Sequence, residues 1–150
     1  MWVRNLSTLE CTNLLARNRV GHLACAKDGR PYVVPIHFAY ASNNLYAFSL
    51  PGRKIEFMRA NPLVSLVVQE RGLGKGWRSV IVDGRYEELQ DRIGYKVERD
   101  HAWSLLSRHA DWWQPGGLKP GAPSPTDPAQ PVFFRIAVEE ISGREAKDVD

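Results

Sequence analysis

"VGHLACAKDGRPYVVPIHFAY", residues 20–40, sets two apolar, β-branched runs on either side of a short polar break. The runs at residues 20–26 and 32–40 each suit a strand. Asp28-Gly29 between them is a pair that accepts positive φ at both centres of a two-residue hairpin turn. An antiparallel hairpin is therefore the nucleus of the fold. Pro35 lies inside the second run and removes one ladder donor, which puts that strand at an edge, at a bulge or along a ligand.

Downstream, Asn43-Asn44 signals another turn and residues 45–50 another strand, so these three strands are expected to form a meander. Residues 64–70 and 77–89 are again strand-like. In the longer of the two, Trp77, Ser79, Ile81 and Asp83 share one face and Arg78, Val80 and Val82 the other. A last strand, 132–143, alternates Val132, Phe134, Ile136 and Val138 against Arg135 and Glu139. Six strands with hairpin or short-helix links and no regular βα alternation predict a mainly β fold. The expected form is a six-stranded antiparallel barrel with peripheral helices, not a Rossmann sheet. Closure also removes unpaired edges.

Ser7 and Glu10 have capping-box spacing, which predicts a helix over 7–18. A second helix is expected over 91–109, with Ile93, Val97, Trp103, Leu105 and Leu106 on its apolar side and Arg92, Lys96 and Arg99 on its wet side. Trp112-Trp113 then offers an aromatic cover for a planar ligand or a partner, or ordinary packing. Residues 114–131 carry six prolines and three glycines and read as an extended loop.

A chain of 150 residues, 43% apolar and 25% charged, suits one globular domain spanning 1–150. The net charge of +3 tolerates anionic ligands without selecting one. Basic and acidic residues are interspersed and no strand repeats exposed aromatics, so nucleic acid is not an expected partner. Cys11 and Cys25 form no CxxC pair, which suits a reducing compartment. No signal-like or membrane-length apolar run is present, so a cytoplasmic location without membrane is expected. The four histidines include no HExxH and no i, i+4 pair, so no metal site is expected, and GxSxG is absent.

The chemistry concentrates in "SLPGRKIEFMRANP", residues 49–62. Pro51-Gly52 opens a short helix that Asn61-Pro62 stops, leaving Arg53 and Lys54 in its first turn. Exposed cations there cost roughly 0.3–1 kcal/mol each against the macrodipole. Free N–H groups, a glycine, two cations and the Ser49 hydroxyl are the parts of a phosphate site; the alternative is a pair of solvated charges. Trp77-Arg78-Ser79 adds a cation and a hydroxyl, and Arg53, Lys54 and Arg78 would converge on one phosphate if the two segments shared a rim. His37 is either an acid, base or donor to a ligand, or a packed strand residue. The glycine-rich stretch 71–76 lacks P-loop spacing and reads as a connection.

The order of xGxPxxxP (from Asp28), GxKxxxxxxNP (from Gly52) and WxSVxxxG (from Trp77) resembles the pyridoxamine 5′-phosphate oxidase-like flavoproteins, and within them the nitroimidazole-resistance type. The match runs over roughly residues 7–89, with an echo in residues 134–146. This resemblance implies the FMN-binding split barrel. It also implies FMN as cofactor, its phosphate on Lys54 with Arg53 and Ser49 beside it. Val34, Pro35, Ile36 and His37 would lie along the isoalloxazine, and Trp77, Arg78 and Ser79 would complete the pocket. A homodimer with FMN at the interface is implied, as is an FMN-dependent oxidoreductase acting on a small molecule. A flavin sensor without turnover and a haem- or deazaflavin-binding relative are the alternatives that the barrel allows. The closing ISGREAKDVD lacks the substrate-binding Arg and His of the true oxidases, which argues against vitamin B6 oxidation.

Overall fold

The computed structural model describes residues 1–90, 93–107 and 131–148. Eight strands and three helices follow in the order β1 (Trp2–Asn5), α1 (Thr8–Arg17), β2 (Val20–Lys27), β3 (Arg30–His37), β4 (Ala39–Ala41), β5 (Asn44–Ser49), α2 (Arg53–Ala60), β6 (Leu63–Arg71), β7 (Trp77–Glu88), α3 (Lys96–Ser107) and β8 (Val132–Lys147). A single 3-10 turn, Ile93–Tyr95, leads into α3. The strands make one antiparallel sheet in the order β3-β2-β6-β7-β8-β5-β4, with β1 added beside β8.

The hairpin that nucleates the reading is present. Lys27 pairs Arg30 across a two-residue turn in which Asp28 and Gly29 have φ of 51° and 76°. A similar turn joins β4 to β5 one residue earlier than expected, with Ser42 and Asn43 at φ 49° and 64°.

Two expectations are corrected. The single strand at 32–40 is two, broken at Phe38: its N–H still donates to Arg19 O at 2.9 Å, one step beyond the Val20–His37 pair, its side chain is buried in the core, and from Ala39 the chain pairs with β5 instead of β2. β3 then pairs β2 and β4 pairs β5, at the two ends of the sheet path. The three runs are therefore not a simple meander: one bent stretch of chain serves both ends of the sheet and draws it into a barrel. The eighth strand, β1, arises because β8 runs to Lys147, beyond the expected 143, and its end pairs Trp2–Asn5.

Leu23, Leu66, Val80, Val82, Leu45, Phe134 and Ile136 fill the interior, and α1 buries Cys11, Leu14 and Leu15 against it. Both cysteines are free and buried. The capping box of α1 is complete: Glu10 N donates to Ser7 Oγ at 3.1 Å and Ser7 N to Glu10 Oε1 at 3.0 Å. Along β7 the expected alternation holds, with Val80, Val82 and Tyr86 inside and Ile81, Asp83 and Arg85 outside.

Helix α3 differs from its expected faces. Ala102 and Leu106 are buried with Phe133 and Leu89, whereas Val97 is 80% exposed and Trp103 lies at the surface. Arg99, expected in water, instead sits 5.0 Å over the Phe133 ring and donates to Leu89 O at 2.9 Å. Trp112-Trp113 and the loop at 114–131, apart from Pro131, lie outside the described residues.

Candidate functional site

Helix α2 starts after Gly52, which supplies no capping side chain, so the first-turn N–H groups face outward without one. β5 ends at Ser49, only 8% exposed, and the Pro51-Gly52 turn brings Lys54 back over it. Lys54 Nζ donates to Ser49 Oγ at 2.6 Å, and Ser49 Oγ donates to Leu50 O at 2.9 Å. Lys54 is half-buried, and among the described residues no carboxylate pairs with it. Burial therefore holds its ammonium below the ordinary lysine range.

The neighbouring acids are committed elsewhere. Glu56 binds Lys27 at 2.8 Å and Glu88 binds Arg59 at 2.7 Å. Arg53 lies 5.2 Å over the Tyr32 ring, itself packed 5.5 Å from Phe57. The helix start thus carries two cations with no ion-pair partner of their own among the described residues, one of them desolvated.

β3 borders this end of the sheet and is hydrogen-bonded in the ladder to β2 alone. Pro35 is exposed on that edge strand, where a missing donor costs nothing. Ile36 is buried and Val34 half-buried against the core, and their backbone groups pair with Gly21 and Leu23 of β2, so the open edge carries the backbone of Val33, Pro35 and His37 while Pro35 presents its ring on the outer face. Burial pushes the His37 imidazole below its usual range, leaving it neutral at pH 7.

Trp77, Arg78 and Ser79 are elsewhere. Ser49 pairs Val132 at the start of β8, and Arg78 pairs Glu145 near its end, so the two segments occupy opposite ends of the longest strand. Within one chain Arg53 and Lys54 come together with Ser49, and Arg78 does not join them. Arg78 is also engaged: it meets Glu145 at 3.2 Å and Glu70 at 3.5 Å. Glu145, with a side chain 3% exposed, further faces Arg4 at 2.6 Å.

Between the two segments the outer sheet face is partly apolar and uncovered. Pro35, His22, Val67, Ile81 and Ser142 stand side by side across five strands. Val33, Val20 and Ile81 on this face are 60%, 49% and 48% exposed.

The model of the pyridoxamine 5′-phosphate oxidase family matches residues 7–145. The chain belongs to that family. With the family goes its fold, the split β-barrel of the FMN-binding type, here mainly antiparallel with three helices. An FAD-binding protein of Mesorhizobium loti, known as a crystal structure, is 62% identical over 98% of this chain and 100% of its own, with a TM-score of 0.83. An uncharacterized protein of Rhizobium meliloti is 45% identical over 97% of each chain. A candidate 5-nitroimidazole antibiotic resistance protein of Bacteroides thetaiotaomicron shares the fold at 21% identity, with a TM-score of 0.72 over 97% of this chain and 89% of that one.

In this family member, the features that sequence reasoning missed are Tyr32 beneath Arg53 and the buried Glu145. Neither had a local signal. Tyr32 meets Arg53 only because α2 packs on the first hairpin, and Glu145 sits in a polar run, GREAK, with nothing to mark it as interior. No metal-binding group of three or more His, Cys, Asp or Glu exists among the described residues, and no helix among them is long and apolar enough to cross a membrane.

Proposed function

We propose that the protein is a flavin-binding oxidoreductase that holds the flavin phosphate at the start of α2 and works as a homodimer on a small-molecule substrate. The observation that carries this reading is Lys54. A half-buried ammonium without a carboxylate, resting on Ser49 at an uncapped helix N-terminus, is destabilised until an anion arrives. Arg53, held against Tyr32, adds a second cation at the same spot.

The family resemblance favours FMN, and the description of the Mesorhizobium relative favours FAD. Both carry the same ribityl phosphate, so either suits this cradle. A bound flavin supplies hydride transfer. The chain's own part is to bind and orient: the Val34–His37 stretch of the edge strand lies along the flavin, with the Pro35 ring exposed and His37 kept neutral.

The dimer reading follows from where the remaining site residues lie. Trp77, Arg78 and Ser79 sit at the far end from Lys54, and a second copy across the exposed face brings them to it. Sedimentation equilibrium is expected to give a dimer, and Ile81→Lys, a charge in the middle of the exposed row, is expected to give a folded monomer. A monomeric wild-type protein would remove this part of the reading.

The direct test of the cofactor is the absorption spectrum of the purified protein, followed by denaturation and chromatography of what is released. Flavin bands and one released flavin nucleotide are expected. A colourless protein that fails to retain either flavin after dialysis overturns the reading. Reduction of the bound flavin by nicotinamide nucleotides, followed at its visible band, tests turnover; none with any donor would leave a flavin carrier or sensor.

A further inference from the structure

Away from α2, an open groove of about 870 Å³ runs between the end of α1, the start of β2 and the β6–β7 turn. Its size lies in the ordinary range for small-molecule sites. Its walls carry four cations, Arg17, Arg19, Arg71 and Lys75, against one carboxylate, Glu70.

That carboxylate is already neutralised. Glu70 takes two hydrogen bonds from the Arg17 guanidinium, one from Asn18 Nδ2 at 3.0 Å and one from Arg78 at 3.5 Å, and Arg17 in turn holds it below the usual carboxylate range. The negative end of α1 is answered as well. Asn18 Nδ2 donates to Leu14 O at 2.8 Å, and Arg19 Nη1 to Ala16 O at 2.7 Å and Asn18 O at 2.9 Å. Arg71 and Lys75 have no ion pair among the described residues and are exposed. At the β6–β7 turn the Asp148 carboxylate accepts from Lys75 N at 2.9 Å, so Arg71 and Lys75 face one acid there and the groove keeps a net positive end.

The rest of the groove suits a flat base. The half-buried Trp77 ring forms a wall, with Val20 and Val67 beside it. Gln69 is exposed between them and the cations and offers an amide that can pair with both N6 and N7 of adenine. Aromatic wall, amide and cations in this order fit a nucleoside phosphate better than a bare anion.

We propose that this groove binds the adenosine 5′-phosphate moiety of a nucleotide, with the phosphate on Arg71 and Lys75 and the base on Trp77 and Gln69. The moiety has two sources: the adenylate half of FAD, or a free nucleotide. The site uses none of the α2 residues, but it shares Trp77 with the proposed flavin pocket and Val20 and Val67 with the proposed dimer face, so it rests on that reading, and parallel titration with FMN separates its failure from that of the phosphate cradle.

The test is calorimetric titration of the full-length protein, flavin-free and FAD-loaded, with adenosine 5′-monophosphate. The variant is Arg71→Gln/Lys75→Gln, two surface changes, with the thermal midpoint as a control for folding. The nucleotide is expected to bind the flavin-free protein, more weakly as salt rises, and at least about tenfold more weakly in the double variant, the effect of losing charged hydrogen bonds. If the adenylate half of FAD is the occupant, FAD-loaded protein no longer takes the nucleotide, and the double variant loses affinity for FAD but not for FMN. If a free nucleotide is the occupant, FAD-loaded protein still binds it and the FAD-to-FMN preference is unchanged. No binding to flavin-free protein, or equal affinity in wild type and double variant, overturns the proposal. Unchanged FMN affinity in the same series shows the α2 site intact in either case.

Discussion

Replacing Lys54 by Met keeps an unbranched chain over Ser49 and removes the ammonium. The consequences differ in sign between the flavin-bound and flavin-free states. Loss of a charged hydrogen bond to phosphate costs about 1.5–3 kcal/mol, which is roughly a ten- to hundred-and-fifty-fold weaker flavin. In the flavin-free protein the same change is expected to stabilise, because burial penalises the charged Lys54 and no carboxylate offsets it among the described residues. Ser49 Oγ keeps its own donation to Leu50 O, so no hydroxyl proton is stranded. The pH dependence follows from the direction of the shift. With the folded-state pKa below the ordinary lysine value of 10.5, the unfolded chain binds more protons between the two values. Wild-type stability therefore rises across that window, and the Met variant lacks the rise. Flavin titration by fluorescence quenching and thermal melts of flavin-free protein at pH 7 and above check both halves. The expected pair is weaker binding with a higher flavin-free midpoint, the gap narrowing as pH approaches 10.5. Unchanged flavin affinity, or a variant less stable than wild type when flavin-free, would refute the assignment of Lys54 as a cation held in strain for an anion.

Two further outcomes are expected from the scaffold. Gly84→Ala, opposite the β8 bulge at Glu139, places a Cβ 2.5 Å from Ala137 O, a backbone atom that cannot step aside, so urea denaturation should show a loss of about 3 kcal/mol; a loss under half of that would mean that the bulge yields. Glu10 is held at about 2 by its hydrogen bonds to Arg4 and then Ser7 N. Its contribution is present above the ordinary carboxylate value of 4.5 and lost as pH falls through about 2, so Glu10→Gln should melt below wild type at pH 6 and converge with it near the lower value.

The barrel was legible because hairpin chemistry is local. Asp28-Gly29 adopts the positive φ its residues permit, and the period-two alternation of β7 needs no knowledge of its neighbours. What failed was non-local. After Phe38, whose N–H closes the β2–β3 ladder on Arg19 O, the chain changes partner from β2 to β5, and no window around Phe38 announces the switch. On α3 the expected apolar side held at Leu105 and Leu106 but not at Val97 and Trp103, because a 3.6-residue pattern gives a stripe but not the surface it meets; Phe133 and Leu89 took Ala102 and the stem of Arg99 as well. At the α2 start, the composition of the cradle was readable from Ser49, Arg53 and Lys54 in one short stretch. That Arg78 is answered by Glu145 and Glu70 was not, since both acids arrive from other strands.

The packing also supports placing the proposed flavin outside the barrel and, in the proposed homodimer, between copies. Phe38, Phe134, Leu45, Leu66 and Ile136 close the interior with side chains less than 2% exposed, so no flavin-sized space exists within the strands described. An outer sheet face offers one wall only, and a planar ring system needs two. Here the cations of α2 and the Trp77–Ser79 segment stand at opposite ends of β8, with the apolar row of Val20, Val67 and Ile81 on the sheet face between them. In the proposed homodimer a two-fold axis through that row sets the α2 end of each chain against the Trp77 end of the other, making two equivalent sites and covering the exposed valines and Ile81 in one step. Dimerisation and cofactor binding then become linked equilibria: each stabilises the other by the free energy of the contacts they share. Dilution should release flavin, and Ile81→Lys should lower flavin affinity although it touches neither Lys54 nor Ser49. A monomeric Ile81→Lys protein that binds flavin as tightly as wild type would show instead that one chain alone completes the site.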